Sequence, residues 1–170
     1  MIKKFIKKLK KIVVLIFFPE IEETRFHLNP IKFSHIFNQK ILKKRSNVYW
    51  PIHPTTTVTY PENIKIGIDT SPGYAPGCYI QGIGKICIGD YTMVSPNVGI
   101  ISANHSIKDF RKHKKSEVII GKYCWVGMGS VILPGSILGD HVVVRPNSVV
   151  DADFSDGYCI LGGNPAKVLF

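Results

Sequence analysis

The chain has no apolar run long enough to cross a bilayer. The longest, residues 12–18, has seven residues, against the roughly 20 that a spanning helix needs. No small-residue cleavage site follows it. Pro19, Glu20 and Ile21 come next, so a secretory signal is not expected. Cysteine is sparse: Cys78, Cys87, Cys124 and Cys159 stand far apart with no C-x-x-C pair. That spacing supports neither a zinc site nor a disulfide framework, and it implies small buried thiols in a reducing cytosol. Negative charge is also scarce, 12 acidic against 22 basic residues for a formal charge of +10. Such an excess invites a nucleic-acid reading, yet zinc-finger spacing and aromatic–basic interleaving are both missing, so no nucleic-acid partner is expected. The excess is local. Six lysines (3, 4, 7, 8, 10 and 11) lie in the first eleven residues, and Arg111, Lys112, Lys114 and Lys115 form a second cluster.

What is present divides the chain into three expected parts: 1–20, 21–60 and 61–170. In the first, Ile2, Phe5, Ile6, Leu9, Ile12, Val13 and Ile16 recur at three- and four-residue steps. On a helix they form one apolar stripe opposite the lysines. Such a helix has two destinations. Residues 1–18 can lie on an anionic membrane surface, or the helix can pack on its own domain or a neighbouring subunit. In residues 21–60, Ile31, Phe33, Ile36, Phe37, Ile41 and Leu42 predict a second short helix after Pro30. Two prolines, Pro51 and Pro54, predict an extended entry to the third part.

The third part has a period of six. Ile120, Val126, Ile132, Leu138, Val144 and Val150 are all aliphatic. Four residues after each stand Cys124, Ser130, Ser136, Val142, Ser148 and Phe154, five of them small or β-branched. Earlier blocks start at Ile88, Val94 and Ile100, and another at Ile66. Neither a helix nor a hairpin has this period. Short strands joined by tight turns and wound as a triangular solenoid do, with three sides closing a coil of 18 residues. First and fifth members then point inward, sixth members outward, and Ile120 stacks on Leu138, Val126 on Val144 and Ile132 on Val150. Each coil buries its interior only against its neighbours.

The motifs Ile88-Gly89-Asp90, Ser95-Pro96-Asn97-Val98, Ser102-Ala103-Asn104-His105, Cys124-Trp125-Val126-Gly127, Ile132-Leu133-Pro134-Gly135 and Gly162-Gly163-Asn164-Pro165-Ala166-Lys167 resemble the hexapeptide-repeat acyltransferases. Their order is similar to the branch of sugar O-acetyltransferases and xenobiotic acetyltransferases. The resemblance implies an all-β solenoid, a left-handed parallel β-helix with a short N-terminal helical segment. It implies a homotrimer with active sites between subunits, acetyl-CoA as co-substrate, no metal, and a sugar or glycan acceptor in surface-polysaccharide assembly. His105, a sixth member, matches the family's catalytic histidine, and imidazole suits general-base work near neutral pH. Asn97 matches a position facing the acceptor, although a turn-forming asparagine after Pro96 is an equal reading. For the coenzyme the resemblance points to Trp125, Gly127 and Lys167. Arg145, in Arg145-Pro146-Asn147 where relatives often carry small residues, is a further candidate phosphate contact. The basic loop 106–117 breaks the repeat and, as in the family, would reach over a neighbour. Asp109 and Glu117 are both candidates to orient His105.

Rival readings are an N-acetyltransferase of an amino sugar or drug, a metal-dependent carbonic-anhydrase relative and a non-catalytic assembly module. His105, His113 and His141 lack the spacing that would converge on one zinc, and fold alone does not establish catalysis. The expected location is the cytoplasm, with peripheral contact at the inner membrane face.

Overall fold

The computed structural model describes residues 12–13, 16–42 and 47–170. Most of the basic amphipathic segment therefore lies outside the described residues. Of its stripe, Ile12, Val13 and Ile16 are described, and all three are helical and exposed. No helix among the described residues is long and apolar enough to cross a membrane.

The six-residue period builds a three-sided coil. The first side stacks β1 (Thr57–Thr59), β3 (Tyr79–Gln81), β6 (Gly99–Ile101), β11 (Val131–Ile132) and β14 (Val149–Val150). The second stacks β2 (Ile64–Ile66), β4 (Ile86–Ile88), β9 (Val118–Ile120), β12 (Ile137–Leu138) and β15 (Asp153–Phe154). The third stacks β5 (Met93–Val94), β10 (Trp125–Val126), β13 (Val143–Val144) and β16 (Ile160–Gly163), and ends on the antiparallel β17 (Ala166–Val168). Every other pair within these sides is parallel.

The register is the expected one. Ile120 pairs with Leu138, Val126 with Val144 and Ile132 with Val150. All six are at most 1% exposed, and the fifth members Ser130, Ser136, Val142 and Ser148 are equally buried. Burying an aliphatic side chain this fully contributes about 1.5–3 kcal/mol. The buried serines cost little because backbone carbonyls accept from them: Ser130 Oγ and Ser148 Oγ donate to Arg145 O, at 2.9 and 2.7 Å, and Ser136 Oγ donates to Val150 O at 3.0 Å. The strict 18-residue step holds only through these coils. Below them Ile66 pairs with Ile88 and Ile100 with Ile132, steps of 22 and 32 residues that accommodate wide corners and one excursion.

That excursion is a two-stranded antiparallel hairpin, β7 (Ala103–His105) with β8 (His113–Lys115). The chain leaves the coil at Ser102 and returns at Ser116, whose N–H donates to Ser102 O at 2.9 Å. The sequence placed the break at 106–117, whereas the excursion runs from 103 to 115: antiparallel pairing draws Ala103–His105 out of the coil, and the coil resumes at Ser116. His105 therefore stands on the hairpin and not on a coil face. Asn104, expected inward as a fifth member, is exposed for the same reason.

The extension folds back on the first coil. It comprises α1 (Pro19–Glu23), α2 (Phe33–Ile36) and a π-helical turn, Phe37–Ile41. The short helix expected after Pro30 is thus present, and the 49–54 stretch that follows is irregular, with a bend at Trp50 and a turn at Pro54. Trp50 is buried and its Nε1–H donates to Pro72 O at 2.8 Å. Gln39 Nε2 donates to Trp50 O at 2.9 Å, fastening helix to strand entry.

Candidate active site

His105 projects from β7 into a cavity of about 650 Å³ lined by Asn104, His105, Ser106, Ile107, Lys108 and Lys114. Its Nδ1 lies 2.6 Å from Phe110 O. A carbonyl oxygen can only accept, so Nδ1 carries a proton, and in the neutral ring Nε2 is then the nitrogen with the free lone pair. The hairpin tip thus fixes both ring orientation and tautomer. Neither candidate carboxylate does so. Asp109 is held by Arg111, whose Nε and Nη2 approach at 2.9 and 3.2 Å, and these bonds lower its pKa. Glu117 pairs with Lys85 at 2.7 Å, which lowers the Glu117 pKa and raises that of Lys85. His113, the register partner of His105, packs its ring against it, with centroids 4.5 Å apart and the planes tilted by 44°. No sequence pattern joins these two histidines, because antiparallel pairing across seven intervening residues leaves no period.

Asn97 lies elsewhere, at the corner between the third and first sides. It has φ 57°, its N–H donates to Pro76 O at 2.9 Å, and its Oδ1 occupies the space above Gly77 that a Cβ would need. Asn147, φ 57°, repeats the arrangement over Gly129 two coils on. Asparagine tolerates this left-handed conformation better than most residues. The geometry gives Asn97 a corner-forming part and no contact with His105 among the described residues.

The four coenzyme candidates share the third side. Trp125, on β10, is 45% exposed, pairs in register with Met93 and Val143, and donates from Nε1 to Ser95 Oγ at 2.9 Å. Gly127 follows it in the turn. A Cβ there would stand 2.6 Å from Val144 O and 2.7 Å from Pro146 N, so only glycine lets the two coils close. Arg145 is exposed in the next turn, and its Cδ passes beside Gly162, the register partner of Lys167. The result is an apolar strip, Met93 and Trp125, topped by two cations. The hairpin bearing His105 leaves the opposite corner, between the first and second sides, so the two groups do not meet within one chain.

Among the described residues no three His, Cys, Asp or Glu side chains gather as metal ligands would. His141 stands apart from His105 and His113, stacked between Tyr123 and Tyr158 at 4.9 and 4.7 Å.

Residues 117–152 match the family described as bacterial transferase hexapeptide (six repeats), the stretch where the 18-residue step is strict. Over 104 residues the chain is 34% identical to an Escherichia coli protein named for O-acetyl transfer in lipopolysaccharide biosynthesis, covering 54% of this chain and 53% of that one. A maltose O-acetyltransferase from Clostridium difficile superposes with a TM-score of 0.68 at 29% identity, over 89% of this chain and 85% of that one. A hexapeptide-repeat acetyltransferase of Vibrio cholerae, solved with acetyl coenzyme A, gives 0.56 at 25% identity over 72% and 67%. The chain spans about half to two thirds of the length of the curated relatives it matches. The fold is the left-handed parallel β-helix, and the resemblance to hexapeptide-repeat acetyltransferases extends from sequence to structure.

Proposed function

We propose that this left-handed β-helix, similar in sequence and fold to the hexapeptide-repeat acetyltransferases, transfers an acetyl group from acetyl-CoA to a sugar hydroxyl, with His105 as the base. The observation that carries the reading is the hydrogen bond from His105 Nδ1–H to Phe110 O. It presents Nε2 as a proton acceptor beside an open cavity. Nε2 takes the acceptor's hydroxyl proton as the oxygen attacks the thioester carbonyl. When the C–S bond breaks, the same proton passes to the departing sulfur. The acetyl group ends on the sugar oxygen as an ester and the coenzyme leaves as its thiol.

The third side fits the coenzyme. Met93 and Trp125 offer an apolar strip to the pantetheine arm, and Arg145 and Lys167 offer cations to its phosphates. Pro146 departs from the small residues expected there, and it contributes no N–H to a bound arm. Because the strip and His105 occupy opposite surfaces of the prism, the site is complete only when two copies meet. That supports a homotrimer with three shared sites. The name of the Escherichia coli relative supports an acceptor in surface-polysaccharide assembly, and the basic segment 1–18 supports contact with the inner membrane face.

Thiol release from acetyl-CoA across a panel of sugars, amino sugars and amine-bearing drugs tests the reaction. O-acetyl esters on a sugar are the expected product. Amide products would move the assignment to N-acetylation, and failure to bind coenzyme A in calorimetry would leave an assembly module. Removal of residues 1–18 should abolish salt-sensitive co-sedimentation with anionic vesicles, since each lysine near such a surface contributes roughly 1 kcal/mol. Full-length protein that ignores those vesicles would refute the membrane contact.

A further inference from the structure

The walls of the His105 cavity are unusual for a site that takes a neutral sugar. Lys108 and Lys114 line it with His105, and no carboxylate does. The hairpin's one acidic residue, Asp109, is occupied. Its Oδ1 accepts from the backbone N–H and Nε of Arg111, and its Oδ2 from Nη2. Glu117, at the hairpin's base, is taken by Lys85. Among the described residues no ion pair neutralises Lys108 or Lys114, and Lys112 and Lys115 add to the same field. A neutral glycan closed over these ammonium groups would offer hydroxyl oxygens in place of water but no counter-charge, so the desolvation of the cations is only partly offset. An anionic group reverses the sign and forms charge-assisted hydrogen bonds, about twice as strong as neutral ones.

We propose that the acceptor is an anionic sugar, whose carboxylate or phosphate is held by Lys108 and Lys114 while a neighbouring hydroxyl faces His105. The inference rests on the acyl-transfer reading for the identity of the ligand as acceptor, but the anion site itself stands on the cavity's charge. Lysine suits the task because its compact, mobile ammonium does not demand one planar partner, unlike arginine's fork. Carboxylate-bearing and phosphate-bearing sugars are therefore both admitted, and neutral ones are disfavoured. In a site shared between copies a partner's third side meets this hairpin, so the coenzyme's phosphates are a competing occupant, and titration with acetyl-CoA separates the two.

The test compares probes matched except for the anionic group. Oligogalacturonate is set against its methyl-esterified form, and glucose 1-phosphate against methyl glucoside. Each is titrated calorimetrically into the full chain and into Lys108→Gln, Lys114→Gln and the double variant. Lys40→Gln, on the extension, serves as a charge-matched control. The expected result is binding of the charged probes alone, weakened about 10-fold by each cavity substitution, weakened by salt and unchanged in the control. The Kd for acetyl-CoA should stay constant throughout. Which charged probe binds distinguishes a uronic acid from a sugar phosphate. Equal binding of charged and uncharged forms would overturn the proposal, as would a double variant that loses acetyl-CoA alone. Lysine-dependent anion binding without acetyl transfer would sink the reaction and keep the anion site. Transfer to neutral sugars as readily as to charged ones would do the reverse.

Discussion

At the scale of single residues, the site reduces to one imidazole with one backbone partner. The outward direction of His105 could be read from the six-residue phase, but the reason for it could not. The phase treats it as a sixth member of a coil block, whereas a hairpin carries it clear of the coil. What holds the ring was equally hidden. Asp109 and Glu117 were reasonable candidates by charge, yet each has a closer cation, and Phe110 acts through its main chain, which no residue pattern reveals. Asn97 shows the opposite limit. Its two readings were even in the sequence, and the corner geometry with Gly77 accounts for its backbone conformation. His105→Ala should leave the fold intact, because the side chain is exposed on a hairpin. Turnover should fall at least about 100-fold, the usual effect of losing a positioned base. Steady-state thiol release measures it, and near-normal turnover with a folded protein would remove His105 from the chemistry.

At the scale of elements, hydrophobic spacing specified which side chains enter the prism through its regular coils. It was less informative wherever the coil widens, because an excursion adds residues without disturbing the period on either side. Val126→Asp tests the regular part. The substitution places an unpaired charge on the stack with Val94 and Val144, a cost of several kcal/mol in a dry interior. Loss of soluble folded protein by circular dichroism and gel filtration is the expected outcome, and a folded variant would contradict the register. The extension carries a different device. His35 is buried against Tyr74, with ring centroids 4.9 Å apart. Burial first, then the charges of Lys32 and His53, push its pKa down from 6.5 to about 4. A histidine kept neutral in the folded state takes up its proton more readily once unfolded. Its contribution is complete above pH 6.5 and is lost as pH falls towards 4. The melting temperature should drop across that window, and His35→Gln should flatten that part of the slope. An unchanged slope in the variant would place the titration elsewhere.

At the scale of the whole molecule, the proposed site divides into two halves that stand apart in one chain. The coil's three sides give each copy an apolar strip with two cations on one surface and a basic hairpin at the opposite corner. The hairpin tip bears Ile107, 94% exposed, and Phe110, 75% exposed, apolar surface of the kind that a partner covers. Sequence periodicity could place each half on its side of the prism, but how copies dock depends on surface shape and charge, which carry no period. The most direct measurement is subunit complementation. His105→Ala lacks the base, and Arg145→Glu combined with Lys167→Glu reverses the charges offered to the coenzyme. Each variant alone should be inactive. Co-expressed with different affinity tags and purified as mixed oligomers, they should recover activity, since some interfaces pair an intact His105 from one copy with an intact strip from the other. Mixed oligomers as inactive as either parent would contradict the shared site and require both halves to come from a single chain.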